Sequence, residues 1–280
     1  MKKHVILFIL FILYSVTLSA QIAQLQVFHK KCINSRIEKN DVGTFDFCYY
    51  NDDCIDYVLV RKLDQVYALH PGKNVLARLS KDDLYDNPWK TMEQKIKIFP
   101  GRINKQEKLK PIVYALPVKN GKQVKCISKE TNIKTPTDTF KVNTVQFRMN
   151  PGDTIYAVRS GVVCQDVPNN TLYVYHDDGS IAVYRNIKKS VNHKDRVIAG
   201  QSIGAFVEDK KALMLQVLCL SSKYIRAIEN LEFPYTGLAP VFRTTEGDIT
   251  IDKETIVTAN TDDELVMQEM TSKEKKTYKK

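Results

Sequence analysis

The sequence predicts an all-β protein built in two units, and three observations carry that prediction. Residues 21–265 hold no long amphipathic helix. Short runs rich in β-branched and aromatic residues recur between turn residues, among them DYVLVRKL, QVYAL and IAVYRNI. Asp178-Gly179 separates two alternating runs, a strong hairpin signal because glycine accepts positive φ.

Taken in order, residues 1–20 read as an export signal. Lys2 and Lys3 precede the apolar stretch Val5–Leu13, and the small residues Ser19 and Ala20 place cleavage before Gln21. As a membrane anchor the stretch falls short of the roughly 18–20 apolar residues a span needs, so no transmembrane anchor is expected after cleavage. The first cysteine, Cys32, lies too far on for a lipid-modified N-terminus. The chain is expected outside the cytoplasm, periplasmic or secreted.

Residues 21–105 are expected to form a small β-sandwich-type accessory domain, with strands near Gln24–His29, Phe45–Tyr50 and Tyr57–Lys62. A short helical turn is expected near Ser80–Tyr85, where Ser-Lys-Asp-Asp supplies a cap. The turn Pro100-Gly101-Arg102 and the lysines after it read as a linker, and the second unit spans 111–260. Residues 261–280, ending in KEKKTYKK, are expected to be a disordered lysine-rich tail.

Six cysteines, Cys32, Cys48, Cys54, Cys126, Cys164 and Cys219, follow the signal. An even count in an oxidising compartment permits disulfides, with the connectivity open. Cys48 and Cys54 flank the turn-like YYNDD and are the first pair expected to bond; buried thiols compete as the reading for Cys126, Cys164 and Cys219.

The net charge is +10, and between Lys90 and Lys129 eleven Lys/Arg stand against Glu93 and Glu107. In an exported protein such a segment suits anionic wall polymers, headgroups or acidic protein partners rather than nucleic acid. A solvated face is the plain alternative.

The runs GDTIYAVRSGVV from Gly152, YVYHDDGSIAVYRNI, DRVIAGQSIGAF and ALMLQV keep an order and spacing of their own. Together they resemble the LytM/lysostaphin-type peptidoglycan endopeptidases, whose segments read roughly GTPVYAAxxGxV, HxDGxxxxYxHL, GDxVxxGQxIG and HLHFEV. The resemblance runs from Pro111 to Val257 and implies a LytM-like antiparallel β-sheet domain. It also implies one zinc, held by a histidine, an aspartate and a second histidine, with an open position where bound water is activated.

This chain departs from that pattern at each of those positions. The aspartate falls at Gln146, and no histidine lies between His70 and His176 to serve upstream of it. The two histidines of HLHFEV fall at Ala212 and Met214, or at Leu213 and Leu215 if the register shifts by one, and the histidine of Y-x-H-L falls at Asn186. The resemblance therefore implies an emptied groove bounded by Gln146, Tyr184, Asn186, Ala212, Met214 and Gln216, with no catalytic residue, metal or other cofactor. His176, Asp177 and Asp178 read as turn formers on a solvated surface rather than a substitute metal site, and His193 as a loop residue.

The expected function is a non-catalytic, exported envelope protein that binds peptidoglycan or regulates a cell-wall hydrolase. Two alternatives stand beside it: an active zinc endopeptidase with relocated ligands, and an envelope interaction protein working through a basic surface.

Overall fold

The computed structural model describes residues 32–61, 65–81, 96–103, 112–134, 139–164, 170–207, 209–221 and 234–279. The signal segment, the strand expected near Gln24–His29 and residues 82–85 of the helical turn expected at Ser80–Tyr85 lie outside them. The described residues divide into two compact units, one ending at Pro100 and the other built from Gly101 onward, Pro234 excepted. The second carries the candidate site.

The first unit holds β1 (Ile33–Lys39), β2 (Phe45–Asn51), β3 (Tyr57–Arg61), β4 (Gln65–Leu69), β5 (Gly72–Leu79) and β6 (Ile96–Pro100). They form two three-stranded antiparallel sheets, ordered β1-β2-β5 and β4-β3-β6. Cys48 sits in the middle of β2, fully buried. The disulfide expected between Cys48 and Cys54 is absent, and all six cysteines are thiols. Cys48 lies mid-strand between Arg36 of β1 and Val75 of β5, while Cys54 follows the strand's end at Asn51. The Cys54 thiol instead faces the Asp53 carboxylate at 3.4 Å.

The second unit begins with β7 (Val113–Tyr114), β8 (Gln123–Lys134), β9 (Thr139–Arg148), β10 (Thr154–Tyr156), β11 (Gly161–Val163) and β12 (Thr171–Tyr175). It continues with β13 (Ile181–Arg185), β14 (Ile187–Lys189), β15 (Arg196–Val197), β16 (Ser202–Phe206) and β17 (Ala212–Leu220). It ends with β18 (Tyr235–Leu238), β19 (Val241–Thr244), β20 (Gly247–Thr250), β21 (Thr255–Thr258) and two helices, α1 (Asp263–Met267) and α2 (Ser272–Tyr278). The main sheet runs β15-β11-β12-β13-β17-β9-β8-β21, and β18 also pairs with β17. Two three-stranded sheets, β10-β16-β14 and β20-β19-β7, complete the unit. The architecture is all-β, as the sequence predicts.

Period-two alternation decides which side chains enter the core. Along β17, Leu213, Leu215 and Val217 are buried while Ala212, Met214 and Gln216 are half-buried on the other face. Leu213 and Leu215 join Phe147, Tyr184 and Phe242 in one apolar cluster, where Phe147 and Phe242 meet edge to face at 5.7 Å. The Asp-Gly hairpin forms between β12 and β13 as expected. Gly179 takes φ 86°, and a Cβ there would stand 2.8 Å from the Arg102 Cβ.

The tail expected to be disordered is folded over the described residues 261–279. Asp262 caps α1 by accepting from the Leu265 amide, and Thr271 and Glu274 form a capping box on α2. Leu265 and Val266 are buried. Composition concealed this because the lysines crowd α2, which buries nothing, while the anchoring residues precede it. The strongest anchor is Glu269, which grips Arg159 through two hydrogen bonds of 2.9 and 2.5 Å.

Among the described residues, no helix is long and apolar enough to cross a membrane.

Candidate functional site

The floor of the candidate site is a row of three residues on adjacent strands. Met214 of β17 lies directly across from Gln146 of β9 on one side and Arg185 of β13 on the other. Directly opposed residues share a sheet face, so an amide, a thioether and a guanidinium stand side by side. All three are half-buried. One step along, Ala212 pairs with Arg148; in the other direction Gln216 donates to the Thr144 hydroxyl at 2.8 Å.

Beyond Gln146 the face opens into a groove of about 680 Å³. It is lined by Lys125, Ile127 and Lys129 of β8, by Gln146, Arg148, Met149 and Asn150 at the end of β9, and by Lys210, Lys211 and Ala212 at the start of β17. Glu254 also lines it and pairs with Lys125 at 2.5 Å, which holds its carboxyl below the usual range.

The structure brings Gln146, Ala212, Met214 and Gln216 to one face. It does not bring Tyr184 there, a correction to the expected groove. Tyr184 opposes Leu215, and both point into the core, where the Tyr184 hydroxyl accepts from the Val158 amide at 2.9 Å. Two-residue periodicity forces this, because Tyr184 is one residue from Arg185 and must face the other way. Asn186 follows in the left-handed region at φ 69° and donates to the Ala212 carbonyl at 2.8 Å. Asparagine suits that backbone, so it ties the end of β13 to the start of β17.

His176 is a second correction. Expected on a solvated turn, it is fully buried, with Nδ1 donating to the Ser160 carbonyl at 2.7 Å and Nε2 making no hydrogen bond among the described residues. Burial first, then the nearby Arg159 charge, pushes its pKa down to about 3. Arg159 is 1% exposed and, besides Glu269, donates to Asp178 at 2.9 Å, Ser180 at 3.1 Å and the Tyr114 hydroxyl at 3.3 Å. This cluster fastens the β12–β13 turn to the C-terminal segment and leaves His176 neutral. His193 is half-buried in the turn before Asp195.

Sequence reasoning passed over Arg185, Arg148 and Lys211. The signal for them was positional: Arg185 precedes Asn186, Arg148 lies two residues after Gln146, and Lys211 precedes Ala212. Arg185 Nε is buried and makes no hydrogen bond among the described residues, and desolvation pushes the guanidinium below its usual range. The zinc that the resemblance implies does not fit this row. A neutral amide and a thioether are weak donors for zinc, and a guanidinium beside them repels a dication.

Residues 141–218, from β9 into β17, match the family model of peptidase family M23. No curated protein matches the chain. Among solved structures, the deep-sea M23 metalloprotease pseudoalterin is similar at 15% identity, over 38% of this chain and 70% of that one, with a TM-score of 0.31. Lysostaphin is similar at 20% identity, over 36% of this chain and 51% of that one, with a TM-score of 0.26. A zinc-containing peptidase from Vibrio cholerae is similar at 11% identity, over 72% of this chain and 87% of that one, with a TM-score of 0.35.

Proposed function

We propose, from the premise that residues 141–218 are a LytM-type segment of peptidase family M23, that this chain binds at the groove where its relatives cleave. The observation that supports the reading is the Gln146–Met214–Arg185 row. Hydrolysis in this family resemblance needs a metal to polarise the peptide carbonyl and to acidify a water. The three side chains on the floor offer neither a carboxylate nor an imidazole, and Asn186 cannot exchange a proton near neutral pH.

What the floor does offer is recognition. Gln146 and Gln216 donate and accept hydrogen bonds, Met214 and Ala212 supply apolar contact, and Arg185 supplies charge. With the export signal read in residues 1–20, the natural ligands are peptidoglycan or a hydrolase that acts on it, in the periplasm or outside the cell. The active zinc endopeptidase is the competing outcome.

The test is direct. Purified full-length mature protein is expected to carry no stoichiometric zinc, to release no muropeptides from sacculi, and to sediment with them at high salt. One equivalent of zinc together with muropeptide release would overturn the reading. Sedimentation lost on adding modest salt would reduce the interaction to diffuse charge attraction.

A further inference from the structure

We infer that the groove and the floor row beside it together take an acidic peptide, with Arg185 of that row as the anchor for one of its carboxylates. The inference rests on the binding reading above and names the ligand class for the same site.

Three observations converge on it. Arg185 stands in the floor row, opposite Met214, with a buried Nε that lacks an acceptor among the described residues. A buried guanidinium N–H left unpaired is costly, and a carboxylate is the acceptor whose geometry matches the guanidinium fork. On the far side of Met214, Arg148, Lys129 and Lys211 line the groove, whose one lining acid, Glu254, is already held by Lys125. The excess charge of the site is therefore positive on both flanks.

The spacing suits a chain rather than a lone anion. Strands lie about 4.8 Å apart, so Arg185 on β13 and Arg148 on β9, two strands over, are separated by about 10 Å across the sheet. An extended peptide laid across β13, β17 and β9 covers that distance in about three residues. The groups between the cations favour a peptide over an inorganic polyanion. Gln146 is an amide that pairs with a peptide N–H or C=O, and Met214 offers apolar contact that phosphate groups cannot use.

The test uses the full-length mature protein and fluorescein-labelled hexaglutamate as probe, read by anisotropy at low and at physiological salt. Saturable binding is expected, with hexaglutamine binding at least about tenfold more weakly and unlabelled tripolyphosphate competing poorly. Arg185→Gln is expected to weaken hexaglutamate binding by about tenfold or more, and Arg185→Lys to restore part of it. Should Arg185→Gln fail to fold, the exposed Arg148→Gln carries the test, with a loss of about threefold to tenfold expected. The inference is overturned by an absence of saturable binding. It is equally overturned if tripolyphosphate competes as well as the peptide, or if folded Arg185→Gln binds like the parent. Sacculus binding at high salt that persists alongside such a failure would leave the binding reading standing; zinc with muropeptide release would remove that reading instead.

Discussion

Burying His176 in neutral form makes stability depend on pH in a window that no exposed histidine would produce. In the folded protein its pKa is pushed down to about 3 from an ordinary 6.5. A histidine whose folded pKa is depressed favours the unfolded chain as pH drops, because only the unfolded state takes the proton. Stability is therefore intact above 6.5 and is lost as pH falls from there toward 3. At about pH 5 the unfolded side chain is protonated and the folded one is not, which costs about 2 kcal/mol relative to about pH 7.5.

The charged neighbours leave this window clear. Burial pushes the Asp178 carboxyl up, but Arg159 and Ser180 bring it below its ordinary 3.8, so its contribution is lost only under more acidic conditions. Arg159 stays charged throughout, held by Glu269 and Asp178. The assay is urea unfolding of the parent and of His176→Gln, whose amide can still donate to the Ser160 carbonyl, at about pH 7.5 and about pH 5. The parent is expected to lose about 2 kcal/mol more than the variant over that interval. Equal losses would refute the burial of a neutral imidazole at this position.

Three further substitutions probe the framework around the site. Glu269→Ala removes the main partner of a buried guanidinium and is expected to cost about 3 kcal/mol in urea unfolding, softened by the remaining Asp178 contact. A tail that merely trails in solvent would make that substitution silent. Gly161→Ala would place a Cβ 2.4 Å from the Tyr175 carbonyl oxygen, a backbone atom. The β11–β12 pairing must then shift, and a fall in Tm corresponding to about 2 kcal/mol is expected. Tyr184→Phe strips the acceptor from the buried Val158 amide while leaving the groove untouched. A stability loss of about 1–2 kcal/mol with unchanged hexaglutamate affinity is expected, and a change in affinity would place Tyr184 back in the groove.

The fold was legible because its signals are local. Alternation along β17, the Asp-Gly turn after β12 and the run from Gly152 each fix backbone geometry through neighbouring residues. The resemblance to LytM-type segments implied Gln146, Ala212, Met214 and Gln216 as candidates. Tyr184 was misplaced because a linear motif does not state which face of a strand a residue takes; that follows from the β13–β17 register. The tail was misread because its lysines are visible in composition while the Arg159–Glu269 contact spans 110 residues. In sequence His176 reads as solvated surface because it adjoins two aspartates, yet its ring turns inward onto the Ser160 carbonyl.

By itself, then, the sequence determined the all-β class and the LytM-type resemblance, since these depend on residue identity and short-range order. Tertiary structure alone decided that Arg185 joins Gln146 and Met214 on one floor, that basic residues line the groove beside it and that Glu269 closes over Arg159. Those arrangements come from strand register and long-range charge pairing, which bring together residues that nothing in the linear order connects.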